Sequence, residues 1–260
     1  MRLFASVVSL GLVALVACSE DPDSSSSSSS GGSSSGGSSS GASGATSSSG
    51  ASSSSGTTTG APYSTDPRTG IATFYAANGS GNCSFDPSPG DLDVVALAPP
   101  DYADSAACGA CVKVTGPKGT VTVRVVDSCP ECEAGHLDLS REAFAKIAEL
   151  EAGRVPISFQ TVDCAVTGPL AYHFKQGSSQ YWTAIQVRNH RLPVTKLEYQ
   201  KAGAWVAMKR LDYNYFVEAE GVGPQAGGLR LRVTAADGKT LEDTLPTILD
   251  NGTAPGAGQF

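Results

Sequence analysis

The chain has 260 residues and a formal net charge of −7, with 18 Lys and Arg against 25 Asp and Glu. No basic cluster occurs in either half, which excludes a nucleic-acid partner. Roughly 200 residues follow Ala61, room for two small domains or one large one.

Met1-Arg2 and the apolar stretch Leu3 to Ala17 read as an export signal, too short to span a bilayer as a mature helix. The stretch closes on Leu15-Val16-Ala17-Cys18, which resembles the bacterial lipobox. Residues 1–18 are therefore expected to be a lipoprotein signal, with Cys18 the lipidated mature N-terminus. Residues 19–61 form a Ser/Gly-rich linker. Ser24 to Thr59 has no aromatic and no charge, so it cannot bury a core. As a coil it is a tether with an r.m.s. reach of roughly 30–35 Å. The protein is expected to be exported and either held at the cell surface or outer membrane, touching the membrane only through its lipid, or secreted.

Two composition shifts then coincide. Ser64 to Cys164 carries 14 acidic and 7 basic residues and six cysteines; Ala165 to Phe260 carries 8 acidic, 10 basic and no cysteine. A boundary near Ala165-Val166-Thr167-Gly168-Pro169 is expected, dividing 62–166 from 167–260.

Within the first part, Thr120 to Val126 alternates β-branched residues with Arg124 and predicts a strand ending at Asp127. Ser140-Arg141-Glu142 ahead of Phe144, Ile147 and Ala148 predicts a helix over Arg141 to Leu150, stopped by Gly153. Asp127 and Asp138 are thereby placed at a strand end and a helix N-terminus, converging on one cleft across Cys129-Pro130-Glu131-Cys132. Taken singly, Asp127 also fits a turn cap and Asp138 a helix N-terminal acid. Further strands are predicted at Ile185–Val187, Gly203–Met208 and Leu229–Val233, making a mainly β chain with Trp205 in its core.

The pairs Cys108-Gly109-Ala110-Cys111 and Cys129-Pro130-Glu131-Cys132 have zinc-ribbon spacing. Export favours disulfides instead, and six cysteines, with Cys83 and Cys164 included, make three bridges among 15 connectivities. His136, His173 and His190 form no ligand set, so no metal or cofactor is expected, and each histidine reads as structural or exposed.

Several motifs agree in order and spacing with one family. They are Gly70-Ile71-Ala72-Thr73-Phe74-Tyr75, Cys108-Gly109-Ala110-Cys111-Val112-Lys113-Val114, Val126-Asp127-Ser128-Cys129-Pro130 and His136-Leu137-Asp138-Leu139-Ser140. Two more follow: Gly177-Ser178-Ser179-Gln180-Tyr181-Trp182-Thr183-Ala184-Ile185-Gln186-Val187-Arg188-Asn189-His190 and Leu211-Asp212-Tyr213-Asn214-Tyr215-Phe216. Through them, nearly all of Pro62 to Thr247 resembles the expansins, its second half being closest to the bacterial branch.

The resemblance implies a six-stranded double-psi β-barrel followed by an immunoglobulin-like β-sandwich similar to family 63 carbohydrate-binding modules. Plant relatives imply the pairs Cys83–Cys108, Cys111–Cys164 and Cys129–Cys132. Asp138 matches the acid on which activity depends, Asp127 a second acid of the same groove, and Thr73 a groove hydroxyl. Tyr75 and Cys129 replace other groove positions of bacterial members. Tyr181, Trp182 and Tyr213 match a linear aromatic surface that stacks on glucan, with Lys175 beside it; Tyr181 stands where many relatives have tryptophan. Neighbouring strand residues point to opposite faces, so Tyr181 and Trp182 can share that surface only at a bulge or in a loop.

Family 45 endoglucanases share the barrel and keep a general acid where Asp138 lies, with a base aspartate shortly after the first strand. Here Thr73-Phe74-Tyr75-Ala76-Ala77-Asn78 offers no carboxylate. Each positioned proton-transfer group is worth ~10²–10⁴-fold in rate, so non-hydrolytic loosening of cellulose and matrix β-glucans by a monomer is expected. The alternatives are a lytic transglycosylase of the rare lipoprotein A type acting on peptidoglycan, a family 45-like endoglucanase, or a pure binding module.

Overall fold

The computed structural model describes residues 63–260; the expected signal, Cys18 and the linker lie outside them. Six strands come first: β1 (Arg68–Tyr75), β2 (Val94–Leu97), β3 (Cys111–Thr115), β4 (Thr120–Ser128), β5 (His136–Ser140) and β6 (Val155–Val162). Along β4, Val121, Val123 and Val125 are buried while Thr122 is exposed and Arg124 half-buried, the period-2 pattern of a strand with one face on a core. The six close into a barrel in the order β1-β5-β2-β4-β3-β6. The pairs β1/β5 and β2/β4 are parallel. Val114, Val125, Leu137, Leu139 and Phe144 fill the interior with essentially no exposure, each such burial contributing about 1.5–3 kcal/mol for the larger side chains.

Two short helices flank the barrel, α1 (Pro99–Tyr102) and α2 (Arg141–Ile147). The first was not foreseen. The second begins as expected, with Ser140 Oγ accepting the Ala143 N–H at 3.0 Å. It ends earlier than expected, because the Ile147 carbonyl is taken by the Lys118 N–H at 2.8 Å and Ala148 turns extended. Gly153, at φ 64°, instead closes a separate 3₁₀ turn, Leu150–Ala152.

Nine strands follow: β7 (Ala171–Phe174), β8 (Thr183–Arg188), β9 (Val194–Lys201), β10 (Ala204–Ala207), β11 (Lys209–Arg210), β12 (Phe216–Glu218), β13 (Leu229–Ala235), β14 (Thr240–Leu245) and β15 (Thr253–Pro255). They make one sheet of order β10-β9-β13-β14 and another of order β11-β12-β8-β7-β15. Leu197, Tyr199 and Leu231 from the first pack with Tyr172, Phe174 and Ile185 from the second. The fold is thus mainly β, a double-psi barrel followed by an immunoglobulin-like sandwich.

Trp205 does not lie in that core. Val206 pairs with the buried Tyr199, so Trp205, opposite Gln200, faces outward. Its ring lies under the guanidinium groups of Arg232 at 4.6 Å and Arg230 at 5.7 Å, and cation–π contact takes the place of apolar packing.

Three disulfides link Cys83–Cys108, Cys111–Cys164 and Cys129–Cys132. The first CxxC pair therefore bonds outward and only the second closes on itself. Cys164 also hands the chain to the sandwich, its N–H donating to the Arg191 carbonyl at 2.9 Å.

Barrel and sandwich meet through many side chain to main chain bonds. Gln186 Nε2 and Asn214 Nδ2 both donate to the Cys83 carbonyl, at 2.7 and 3.1 Å. Ser105 Oγ donates to the Leu211 carbonyl at 2.7 Å, and Arg210 Nη1 returns to the Ser105 carbonyl at 3.0 Å. Ser105 reaches this position through three successive left-handed residues, Ala103, Asp104 and Ser105, at φ 50°, 50° and 69°. That conformation costs about 1–2 kcal/mol per residue, offset by the contacts it permits.

Candidate functional site: a barrel groove joined to an aromatic surface

One cross-strand row brings the expected groove residues together. Thr73 on β1 pairs with Asp138 on β5, Asp138 with Ala96 on β2, and Ala96 with Asp127 on β4. Both acids are half-buried, on the outward-facing side of their strands. Their main chains stand two strand spacings apart, about 10 Å, with the small Ala96 between. Asp138 is thus a mid-strand residue of β5, not the helix N-terminal acid expected, because β5 runs through to Ser140 before α2 begins.

Thr73 Oγ1 donates to Asp138 Oδ1 at 2.5 Å. A hydroxyl has one proton, so the 2.8 Å contact between Thr73 Oγ1 and His136 Nε2 has the imidazole donating. Burial, then Arg154, lowers the His136 pKa, against the pull of Asp138 and Glu133. His136, given no role from sequence, therefore orients Thr73 toward Asp138. Its place two residues before Asp138, on the same strand face, was the available signal.

Asp127 is committed differently. Its Oδ1 accepts the main-chain N–H groups of Asn82 at 2.7 Å and Ser128 at 2.8 Å. Gly81 lies flat against this carboxylate: a Cβ there would come within 2.3 Å of Asp127 Cγ. Tyr75 completes the groove. Its hydroxyl is buried without a hydrogen-bond partner, and burial, then Asp127 and Asp138, raises its pKa. The phenol stays protonated, a donor with no acceptor. Cys129, bonded to Cys132, closes the loop between β4 and β5.

On the sandwich, Ser179 and Trp182 form an isolated bridge, with the Ser179 N–H donating to the Trp182 carbonyl at 2.7 Å. Tyr181 stands at the tip of this turn, 76% exposed, and Trp182 is half-buried at its base. The loop needed for the two to share a surface is therefore present. Gly223 N–H holds the tip through the Gln180 carbonyl at 2.9 Å. Tyr213 lies 5.8 Å from Tyr215, and Lys175 Nζ sits 5.7 Å from the first ring and 5.2 Å from the second. Lys175 N–H donates to the Ala184 carbonyl at 3.0 Å, which brings this cluster beside the strand that Trp182 leads into. No ring–ring contact joins Tyr181 or Trp182 to Tyr213 among the described residues.

A hydrogen-bonded bridge connects the groove to the aromatic loop. Asn82, whose N–H binds Asp127, donates from Nδ2 to the Tyr102 hydroxyl and to the Asp212 carbonyl, both at 3.0 Å. Tyr102 in turn donates to the same carbonyl at 2.9 Å. Asp212 precedes Tyr213, so the chain from groove acid to aromatic ring is continuous. Neither Asn82 nor Tyr102 was identifiable from sequence, since their partner is a carbonyl on a distant loop. Among the described residues no group of three or more His, Cys, Asp or Glu is placed to hold a metal ion.

Comparison with known proteins accords with this architecture. A family model described as lytic transglycolase matches residues 94–159. "Expansin-like protein 5" of Dictyostelium discoideum is 31% identical over 204 residues, covering 73% of this chain and 84% of the relative. A crystal structure of apo Clavibacter michiganensis expansin aligns at 35% identity with a TM-score of 0.68, over 75% of this chain and 98% of that one. A mutant of that expansin, solved in complex with cellohexaose, aligns with a TM-score of 0.69. "Expansin-YoaJ" of Bacillus subtilis is 40% identical over 205 residues, covering 75% of this chain and 87% of the relative. With identity sustained across barrel and sandwich alike, the chain belongs to the expansin family.

Proposed function

We propose that this protein binds cellulose and related β-glucans and loosens their non-covalent contacts without cleaving them. The surroundings of the two carboxylates carry the reading. Hydrolysis of a glycosidic bond needs one carboxyl group protonated as general acid and a second free to attack or to activate water. Asp138 accepts a hydrogen bond from Thr73 Oγ1, and the stretch Thr73–Asn78 brings it no second carboxylate. Asp127 spends Oδ1 on two main-chain N–H groups of its own loop. The pair therefore suits gripping sugar hydroxyls: Asp138 accepts, and Asp127 holds the loop that carries Asn82.

The binding of cellohexaose by the Clavibacter relative supports a glucan ligand. The exposed Tyr181, with Trp182, Tyr213 and Lys175, supports stacking on it, since flat aromatic side chains bury much area with few rotors to freeze. Export accords with the three disulfides. Cys18 is read as the lipid anchor that holds a monomer at the cell surface.

The test incubates the full chain with cellulose, xyloglucan and peptidoglycan sacculi and follows released sugars beside the mechanical strength of cellulose paper. Paper should weaken without soluble products, and the effect should vanish in Asp138→Asn. Sustained release of reducing ends from cellulose would overturn the reading. The lytic transglycolase match over residues 94–159 favours one second reading, cleavage of peptidoglycan, and muropeptide release from sacculi would establish it.

A further inference from the structure

A cavity of about 590 Å³ opens at the seam between barrel and sandwich, and none of Thr73, Tyr75, Asp127 or Asp138 lines it. Its walls come from the outer face of β3 and β4, the loop that follows Cys83, and the segment Arg188–His190. The size falls within the roughly 300–1,000 Å³ of small-ligand sites.

Two guanidinium groups meet there in different states. Arg188 is held by two bonds: Nη1 pairs with Asp86 at 2.7 Å and Nε donates to Gln186. Arg124 is not. Its carbon lies 5.2 Å from the Phe85 ring centroid and Nη2 reaches Ser88 Oγ only at 3.4 Å. Its Nε is buried without a partner. Nη1, by contrast, makes no hydrogen bond among the described residues and is not buried, so it is the donor open to a ligand. At the rim stands Asp91, exposed and in no ion pair among the described residues. Asp93, also in the lining, is bonded by Lys146 at 2.6 Å from outside it.

The charges of the cavity therefore nearly balance, with unspent donors on Arg124 and unspent acceptors on Asp91. A free anion would meet Asp91 and Asp86 on entry, and a cation would meet Arg124. A neutral molecule carrying neighbouring hydroxyl groups satisfies both: one hydroxyl accepts from Arg124 Nη1, another donates to Asp91. The apolar wall of Phe85 and the Cys111–Cys164 disulfide suits the C–H edge of a pyranose. We propose that this cavity is a second saccharide site, for a short neutral oligosaccharide, separate from the groove and the aromatic surface.

The test uses the full chain carrying Trp182→Ala and Asp138→Asn, which silences both sites named above, so failure here is distinct from failure of the groove reading. Calorimetric titration with cellotetraose should still give saturable binding. Asp91→Asn and Arg124→Lys, each added to that background, should weaken it about tenfold, the equivalent of one charged hydrogen bond. Asp91 is exposed, and lysine keeps the charge over Phe85 while lacking the Nη1 arm of the guanidinium, so unchanged melting temperatures will show that the fold survives. No residual binding, or residual binding unaffected by either added change, overturns the proposal. Salt-sensitive binding of glucuronate in place of cellotetraose would also overturn it, making the cavity an anion site.

Discussion

Asn82 and Asp212, 130 residues apart, are joined by a 3.0 Å hydrogen bond from the Asn82 side-chain amide to the Asp212 carbonyl. The same asparagine binds Asp127 through its main chain. Asn82, with Tyr102 on the same carbonyl, thus links the groove acid to the loop that carries Tyr213. A glucan chain lying on both surfaces at once would meet them in a fixed register.

Asn82→Ala removes both side-chain bonds and should destabilise the fold by about 1–2 kcal/mol, read as a lower urea midpoint. Binding to cellulose in a pull-down should persist, since the aromatic residues remain, while paper weakening falls. Full weakening activity in Asn82→Ala would show that the register does not matter.

Thr73 is the donor to Asp138, so Thr73→Val should reduce weakening about as far as Asp138→Asn does. Thr73→Ser, which restores the hydroxyl, should recover most of it. Equal loss in valine and serine variants would point to the Thr73 methyl group rather than its proton.

The two disulfides of unequal loop length should differ in worth. Cys111–Cys164 spans 53 residues and Cys129–Cys132 only 3. The loop-entropy relation gives about 4 kcal/mol for the first and about 2 kcal/mol for the second. Paired Cys→Ser replacement followed by urea unfolding should preserve that order.

His190 is 4% exposed, and burial holds its pKa down to about 4, with Arg210 and Arg124 adding to the effect against the Leu192 carbonyl that its Nδ1 binds. In the unfolded chain it titrates near 6.5. Between these values the unfolded state takes up a proton that the folded state refuses, so stability falls as pH drops from about 6.5 toward 4. The contribution approaches about 3 kcal/mol at the low end. His190→Gln should flatten this part of the stability curve; an unchanged slope would assign it elsewhere. Gly109, at φ 74°, makes room for the ring: a Cβ there would lie 2.5 Å from His190 Nε2.

Ala103 holds a left-handed conformation at φ 50° without the freedom of glycine. Ala103→Gly should therefore raise stability by roughly 0.5–1 kcal/mol, the relief of strain less the added entropy of the unfolded chain. A lower melting temperature would mean that the Ala103 methyl group contributes packing worth more than the strain.

Much was legible in the chain itself, because it depends on near neighbours. Alternation at Val121, Val123 and Val125 marks a strand with one buried face, Ser140 marks a helix start, and the ordered motifs from Gly70 to Phe216 mark the family. Where a distant partner competes, local reading fails. Helix α2 stops at Ile147 because Lys118 takes its carbonyl, and Trp205 faces outward because the register with β9 puts Tyr199 and Val206 inside. By itself the sequence marked the candidates for the chemistry: two acids, a threonine, a tyrosine and an aromatic set. Only the tertiary structure decided how they are used. Strand register lays Thr73, Asp138, Ala96 and Asp127 in one row, and loop-to-loop bonds through Asn82 tie that row to Tyr213. Register and loop contact are set by partners far along the chain, whose choice rests on burial of the whole core rather than on any local pattern.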